Sequence, residues 1–171
     1  VCPTSALNML LLVAGDAEGD RIKNQLDYVC IGGASVSKNT VDEFLRAFPD
    51  TELFSPYGDT ECFPICSTKY KINEPVSLGL PCKNVDVQLY EPEDDKAVGK
   101  KVGRIAVKSP CTMIGYYNDS ERTNSVFHGD YFVLSDLGYF DENGVLFFAG
   151  RADDVFNIGG YKISPIEIEA V

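Results

Sequence analysis

Between Leu26 and Phe54 the spacing of apolar residues allows few folds. Leu26 to Ile31 (Leu-Asp-Tyr-Val-Cys-Ile) is a short run of β-formers that stops at Gly32-Gly33, as a strand does on entering a tight turn. Thr40 to Phe48 then places Val41, Phe44, Leu45 and Phe48 at i, i+3, i+4 and i+7, one face of a helix. Thr40 with Glu43 is expected to form a capping box, and Pro49 ends the helix. Glu52 to Phe54 reads as a second short strand. Strand, helix and strand within about thirty residues predict a parallel βαβ unit. The Gly32-Gly33-Ala34 loop and the Tyr57-Gly58-Asp59-Thr60-Glu61 segment are both expected at carboxyl ends of strands, where open α/β sheets place ligands.

Upstream, Thr4 to Val13 is a helix candidate bounded by Pro3 and Gly15. Leu7, Leu10, Leu11 and Leu12 make it apolar on most sides, so it is expected to be buried. Gly15 to Asp20 reads as a polar loop. After Pro75 the pattern changes. Val85, Val87 and Leu89 alternate, as do Ile105 and Val107, and turn residues recur at Pro81, Glu91-Pro92, Asp94-Asp95 and Gly99. Short alternating runs with frequent turns predict an antiparallel meander or small barrel. Gly99-Lys100-Lys101-Val102-Gly103 lacks the order of a phosphate loop and reads as an exposed hairpin tip.

Two aromatic runs then flank Asp141-Glu142-Asn143-Gly144, a hairpin turn because Asn-Gly tolerates positive φ. Tyr139 and Phe140 enter it, and Val145 to Phe148 leave it. The hairpin is expected to bring Asp136 and Arg151 to the same end of paired strands. An acid and a guanidinium placed so can be an ion pair, or a clamp for a diol, since one accepts from hydroxyls and the other donates to them. On spacing alone the ion pair is favoured. Val155 to Ile158 and Tyr161 to Ile163 around Gly159-Gly160 predict a further hairpin, and Ser164-Pro165-Ile166-Glu167 announces a helix.

With 26 acidic against 15 basic residues in 171, the net charge is -11, which argues against nucleic acid or an anionic membrane as partner. It leaves room for a nucleotide, whose site needs only local donors. No apolar run reaches membrane-spanning length, so no transmembrane segment is expected. Six cysteines are scattered, and Cys62 with Cys66 is a lone C-x3-C, a poor zinc signal without a second pair. Buried thiols of a cytoplasmic protein are the expectation. Asn118-Asp119-Ser120 fits a glycosylation sequon, with nothing else pointing to secretion. The chain begins at Val1 rather than Met, and an upstream portion is expected.

One series of motifs carries a resemblance. Gly32-Gly33-Ala34, Tyr57-Gly58-Asp59-Thr60-Glu61, Gly103-Arg104-Ile105-Ala106-Val107 with Gly115-Tyr116-Tyr117, Ser135-Asp136-Leu137-Gly138, Gly150-Arg151-Ala152-Asp153-Asp154, Gly159-Gly160-Tyr161-Lys162 and Pro165-Ile166-Glu167-Ile168-Glu169 stand in this order. The chain resembles the adenylate-forming superfamily of acyl-CoA synthetases, luciferases and nonribosomal peptide adenylation domains. Gly79-Leu80-Pro81 and Gly159-Gly160-Tyr161-Lys162 look most like the acyl- or aryl-CoA ligase branch.

The resemblance implies an α/β-plus-β fold. Residues 1–75 would be part of an α/β/α layered nucleotide- and acyl-binding subdomain, residues 76–151 a small antiparallel β-barrel or meander, and residues 152–171 the hinge and start of a C-terminal α+β domain. It implies an ATP-dependent ligase that first joins a carboxylate to AMP and then passes the acyl group to coenzyme A. ATP/AMP, Mg2+ and coenzyme A are the implied cofactors and co-substrates, and a small carboxylic acid the implied substrate. Fatty acid metabolism is the implied setting. Two alternatives stay open: an amino-acid adenylation domain that loads a carrier protein, and a non-catalytic module of the same fold.

Roles follow by position. Gly33, Ala34 and Ser35 would line the adenine pocket and Tyr57 would stack on the base, with Gly58 and Asp59 in the same nucleotide-binding segment. Thr60 would donate to the α-phosphate, and Glu61 would hold Mg2+, a cation that prefers carboxylate oxygen. Asp136 would accept from the ribose hydroxyls beside Arg151. Asp153 would be the hinge, and Gly160 would line the pantetheine passage. Two departures stand out: Gly103-Arg104 where the family usually has Gly-Glu, and Leu134-Ser135-Asp136 where it usually has Thr-Gly-Asp. The triphosphate-gripping loop and the adenylation lysine would lie in the remainder of the parent polypeptide. The chain is therefore expected to be an internal fragment, inactive alone.

Overall fold

The computed structural model describes residues 2–90, 102–154, 156–158 and 161–163. They form two units, Val1–Tyr57 with Cys66–Gly79, and Gly58–Ile65 with Leu80–Val171.

The first unit follows the expected alternation of strand and helix. β1 (Cys2–Pro3) leads into α1 (Ser5–Val13), α2 (Ala17–Lys23), β2 (Tyr28–Gly32), α3 (Lys38–Ala47) and β3 (Glu52–Asp59). β2 pairs in parallel with both β1 and β3, so the βαβ expectation holds, with α3 as the crossover. Leu7 of α1, Val29 and Ile31 of β2, Val41 and Phe44 of α3, and Phe48 and Leu53 are buried together. The Phe44 and Phe48 rings stack at 4.9 Å. Burial of one face of α3 against this core is what makes a ten-residue helix worth forming, since isolated helices of that length are marginal.

Several local expectations are corrected. Gly15 to Asp20 is not a loop: Asp16 accepts from the Gly19 N–H at 2.9 Å and caps α2. A capping aspartate outweighs the polarity of the residues that follow it. The α3 cap is Ser37, whose hydroxyl accepts from the Thr40 N–H at 3.1 Å, and the Thr40–Glu43 capping box does not form. Thr40 lies inside the first turn, three residues beyond the true cap. α1 is only partly buried, with Leu7 at 0% but Leu12 at 85% and Met9 at 70% exposure. Four leucines in six positions cannot all share one face of a 3.6-residue turn. The strand from Glu52 runs to Asp59, so Tyr57-Gly58-Asp59 are strand residues and only Thr60-Glu61 form the turn after it.

β3 continues through that two-residue turn into β4 (Cys62–Lys69), and β5 (Leu80–Pro81) completes a sheet of order β1-β2-β3-β4-β5. In the second unit, β6 (Asp86–Tyr90), β7 (Gly103–Lys108), α4 (Ser120–Val126), β8 (Phe127–His128), β9 (Tyr131–Phe140) and β10 (Leu146–Arg151) follow. The sheet order β10-β9-β7-β6 is antiparallel throughout, with β8 also on β9, as the alternation after Pro75 predicts. Ile105, Ala106 and Val107 of β7 are all buried, so this strand is covered on both faces and departs from simple alternation.

The turn between β9 and β10 is where the sequence places it, but Gly144 (φ +76°) alone takes the left-handed conformation, and Asn143 does not. Asp141 organises it: Oδ1 accepts from the N–H groups of Asn143 and Val145 at 2.9 and 2.8 Å. A one-turn 3-10 helix (Ala152–Asp154) precedes β11 (Phe156–Ile158) and β12 (Tyr161–Ile163), which pair antiparallel as expected. The turn residues at 91–99, the 99–101 tip and the helix announced at Ser164 lie outside the described residues. None of the six cysteines is in a disulfide; Cys62 and Cys66 are buried, but Cys111 is exposed, so the thiols are not uniformly core residues.

Candidate functional site

The tip of the β3–β4 hairpin presents Asp59, Thr60 and Glu61. Asp59 Oδ1 accepts from the Thr60 N–H at 2.8 Å and so fixes the entry to the turn. A Cβ on Gly58 would lie 2.7 Å from the Cys62 carbonyl oxygen, so the two strands close here only because Gly58 has no side chain. A second segment runs beside the tip: the Met113 N–H donates to the Glu61 carbonyl at 2.7 Å, and Thr112 bridges Cys62. It carries Tyr116, whose hydroxyl donates to Glu61 Oε1 at 2.8 Å.

That hydrogen bond is the main reason the Glu61 carboxyl titrates below its ordinary range. Partial burial opposes it, and the Glu61 N–H, Asp59 and the Arg122 charge reinforce it. Burial, followed by the Glu61 carboxylate as acceptor, pushes the Tyr116 phenol up. Glu61 is therefore ionised at neutral pH, and the phenol that holds it keeps its proton.

A second polar pair lies on β9 and β10. Arg151 is directly opposite Asp136, with Nε 3.9 Å from Oδ1. The hairpin thus brings the acid and guanidinium to one end, as the sequence predicts. Asp136 is 22% and Arg151 54% exposed, so both remain accessible to a ligand with hydroxyl groups. The two departures from the family pattern meet across paired strands: Arg104 of β7 donates through Nε to the carbonyl of Leu134 on β9 at 2.9 Å.

Residues 1–117 match the family model described as AMP-binding enzyme. The chain belongs to the AMP-binding enzyme family. It is 28% identical to 4-coumarate–CoA ligase-like 3 of Arabidopsis thaliana, over 94% of the chain and 31% of that protein. It is 32% identical to the long-chain-fatty-acid–CoA ligase of Bacillus subtilis (strain 168), over 82% of the chain and 26% of that protein. Among solved structures, the ATP-bound RpMatB-BxBclM chimera B1 superposes with a TM-score of 0.85 at 26% identity, covering 99% of this chain and 33% of that one. The chain thus spans about a third of the length of the relatives it matches.

In this AMP-binding family member the expected nucleotide residues divide between the two units. Gly33, Ala34 and Ser35 form an exposed loop after β2 in the first unit, where Gly33 (φ +83°) makes the turn possible and has open space around its Cα. Its requirement is conformational rather than one of close approach. Tyr57 is half-buried in β3 of the same unit. Gly58, Asp59, Thr60, Glu61, Asp136 and Arg151 belong to the second. Asp153 is exposed in the 3-10 turn, and Gly160 lies outside the described residues.

Sequence reasoning assigned no role to Tyr116 or Arg122. The available signal was Asp119, an N-cap of α4 that accepts from the Arg122 N–H at 2.9 Å and whose own N–H donates to the Tyr116 carbonyl at 3.3 Å.

Among the described residues no cluster of three or more His, Cys, Asp or Glu could enclose a metal. The hairpin tip does present two carboxylates, Asp59 and Glu61, which are oxygen donors of the kind a hard divalent cation takes together with water. Among these residues no helix is long and apolar enough to cross a membrane.

Proposed function

We propose that this chain is the nucleotide-binding segment of an AMP-forming acid–CoA ligase. A carboxylate is a poor electrophile until one of its oxygens becomes part of a good leaving group. In the first step a carboxylate oxygen of the acid attacks the α-phosphorus of ATP, the bond to the β-phosphate oxygen breaks, and pyrophosphate leaves. In the second, a thiolate attacks the acyl carbon and AMP leaves with the bonding electrons. Such chemistry asks the protein mainly for positioning and for stabilisation of developing charge.

Asp136 and Arg151 hold the ribose in this reading, the carboxylate accepting from the hydroxyls while the guanidinium donates. Their cross-strand pairing is the observation that carries it, because it presents an acceptor and a donor set together and accessible. Tyr57 offers an aromatic face to adenine, and the Gly33-Ala34-Ser35 loop offers backbone groups. Gly58 and Asp59 shape the turn that presents Thr60 and Glu61. The Thr60 hydroxyl donates to the α-phosphate, and Glu61 holds Mg2+, which neutralises phosphate charge. Asp153 is the hinge in this reading, since one residue can absorb the backbone change of a domain rotation. Residues 1–75, 76–151 and 152–171 act as three subdomains in this scheme. The names of the relatives support coenzyme A as acceptor and an acyl or aryl acid as substrate, and the ATP-bound relative supports the nucleotide.

The test is pyrophosphate release by the full-length protein that carries this chain, with ATP, Mg2+ and a panel of fatty and aromatic acids, each with and without coenzyme A. Acid-dependent pyrophosphate with thioester formation on adding coenzyme A is the expected result. Absence of acid-dependent release across the panel would remove the ligase reading. Release without thioester would move the acceptor from coenzyme A to another nucleophile.

A further inference from the structure

Tyr116 is held more elaborately than a surface tyrosine needs to be. Its N–H donates to Thr123 Oγ1 at 2.9 Å, and that hydroxyl donates on to the Asp119 carbonyl at 2.7 Å. A Cβ on Gly115 would lie 2.9 Å from Thr123 Cγ2, so the turn can close on α4 only with glycine there. The Arg122 guanidinium lies over the Tyr116 ring, 3.9 Å from its centroid, so the ring is stacked as well as tethered. The Met113 N–H bond to the Glu61 carbonyl and the Thr112–Cys62 bridge lock the same segment to the hairpin tip. Together these restraints hold the segment where the phenol hydroxyl donates to Glu61 Oε1.

We propose that Tyr116 is the positioning residue for Glu61, with Arg122 as its brace. A glutamate on a two-residue turn has three side-chain torsions and would otherwise sample many rotamers. A donor fixed on one carboxylate oxygen selects the rotamer and the plane of the carboxylate, and so directs the group toward a divalent cation before that cation arrives. This inference rests on the reading of Glu61 as the Mg2+ ligand. It adds that the ligand is pre-oriented by a residue 55 positions along the chain. Partners of this kind commonly contribute about ten- to a hundredfold to metal affinity.

The experiment uses Mn2+ as a paramagnetic substitute for Mg2+, titrated into the full-length protein with saturating non-hydrolysable ATP analogue. Free Mn2+ is read by electron paramagnetic resonance. Tyr116→Phe keeps the ring and its stacking and removes only the donor. It is expected to weaken the Mn2+ dissociation constant about tenfold and to broaden the bound-Mn2+ spectrum as the ligand geometry becomes heterogeneous. Arg122→Met should weaken it less, and Glu61→Gln more than either. A merely structural role for Tyr116 predicts a different signature: fewer sites per chain and earlier unfolding, with the dissociation constant of the remaining sites unchanged. If Glu61→Gln weakens Mn2+ binding and Tyr116→Phe does not, the positioning role is overturned while the Glu61 assignment stands. If Glu61→Gln leaves binding unchanged, the metal reading of Glu61 fails and the positioning role with it. Should Tyr116→Phe fold poorly, Arg122→Met decides alone, and an unchanged dissociation constant there counts against the brace.

Discussion

Asp42 and Glu61 are both held below the usual carboxylate range, yet the two regions around them hold a carboxylate in different ways. Asp42 is on α3, 5% exposed, with Lys38 paired to one oxygen from one helical turn away and the Asn73 N–H donating to the other at 2.9 Å. Both oxygens are turned inward, and the group ties the helix to the segment after β4. Glu61 is half-buried at a hairpin tip, and its strongest partner is a neutral phenol rather than a cation. The partners differ in kind: a full positive charge at Asp42 and a neutral hydroxyl at Glu61. A depressed carboxylate pKa alone therefore does not mark a binding site, since structural ion pairs produce it too.

The comparison can be broken first at the core that presents Asp42. Phe44→Ala, removing a fully buried ring that stacks on Phe48, is expected to lower the unfolding free energy by about 3–5 kcal/mol in urea titrations. A loss below about 1 kcal/mol would mean that α3 does not depend on this packing. Glu61→Gln should do the reverse. Acid-dependent pyrophosphate release should fall by about a hundredfold, while the unfolding free energy falls by only about 1 kcal/mol, as for one half-buried hydrogen bond. A stability loss as large as that of Phe44→Ala would make Glu61 a structural residue like Asp42.

The acid limb sharpens the contrast. The folded pKa of Asp42 is depressed, chiefly by the Lys38 hydrogen bond and then by the Asn73 N–H. Its contribution to stability is thus fully present above the unfolded value, about 4, and is lost as pH falls through the lower folded value. Asp42→Asn should therefore be less stable than the parent at neutral pH, and the difference should shrink below about pH 4. A difference that persists unchanged into acid would remove the charge from the explanation. The smallest effect is expected at Asp136 and Arg151. A double-mutant cycle with alanine should give a coupling of about 0–1 kcal/mol, because the contact is long and Arg151 is half in water. Nucleotide affinity should nonetheless fall in either single variant.

The βαβ unit and the β9–β10 hairpin were legible because each is written in residues close in sequence. Val41, Phe44, Leu45 and Phe48 mark a helical face, and the run from Asp141 to Gly144 marks a turn, whatever else the chain does. Where local signals compete, the reading slipped. Ser37 and Thr40 are both acceptable caps, and only the backbone decides that Ser37 is extended while Thr40 is already helical. Asp16 stands in a polar stretch that reads as a loop, yet it caps α2. The Leu12 side of α1 was expected in the core and is exposed.

The candidate site divides in the same way. Its carboxylates and its arginine were visible as residue types in the order of a known family, and the Asp136–Arg151 register followed from counting outward from a turn. What the chain determined by itself was which segments become strand or helix, because backbone preference and apolar period act over a few neighbouring residues. Only the tertiary structure decided that Tyr116 meets Glu61, Arg122 covers Tyr116, and Arg104 reaches the strand carrying Asp136. Those contacts depend on how separately formed segments pair and close on one another. That geometry is set by burial and by chain closure together, and no short window of sequence contains it.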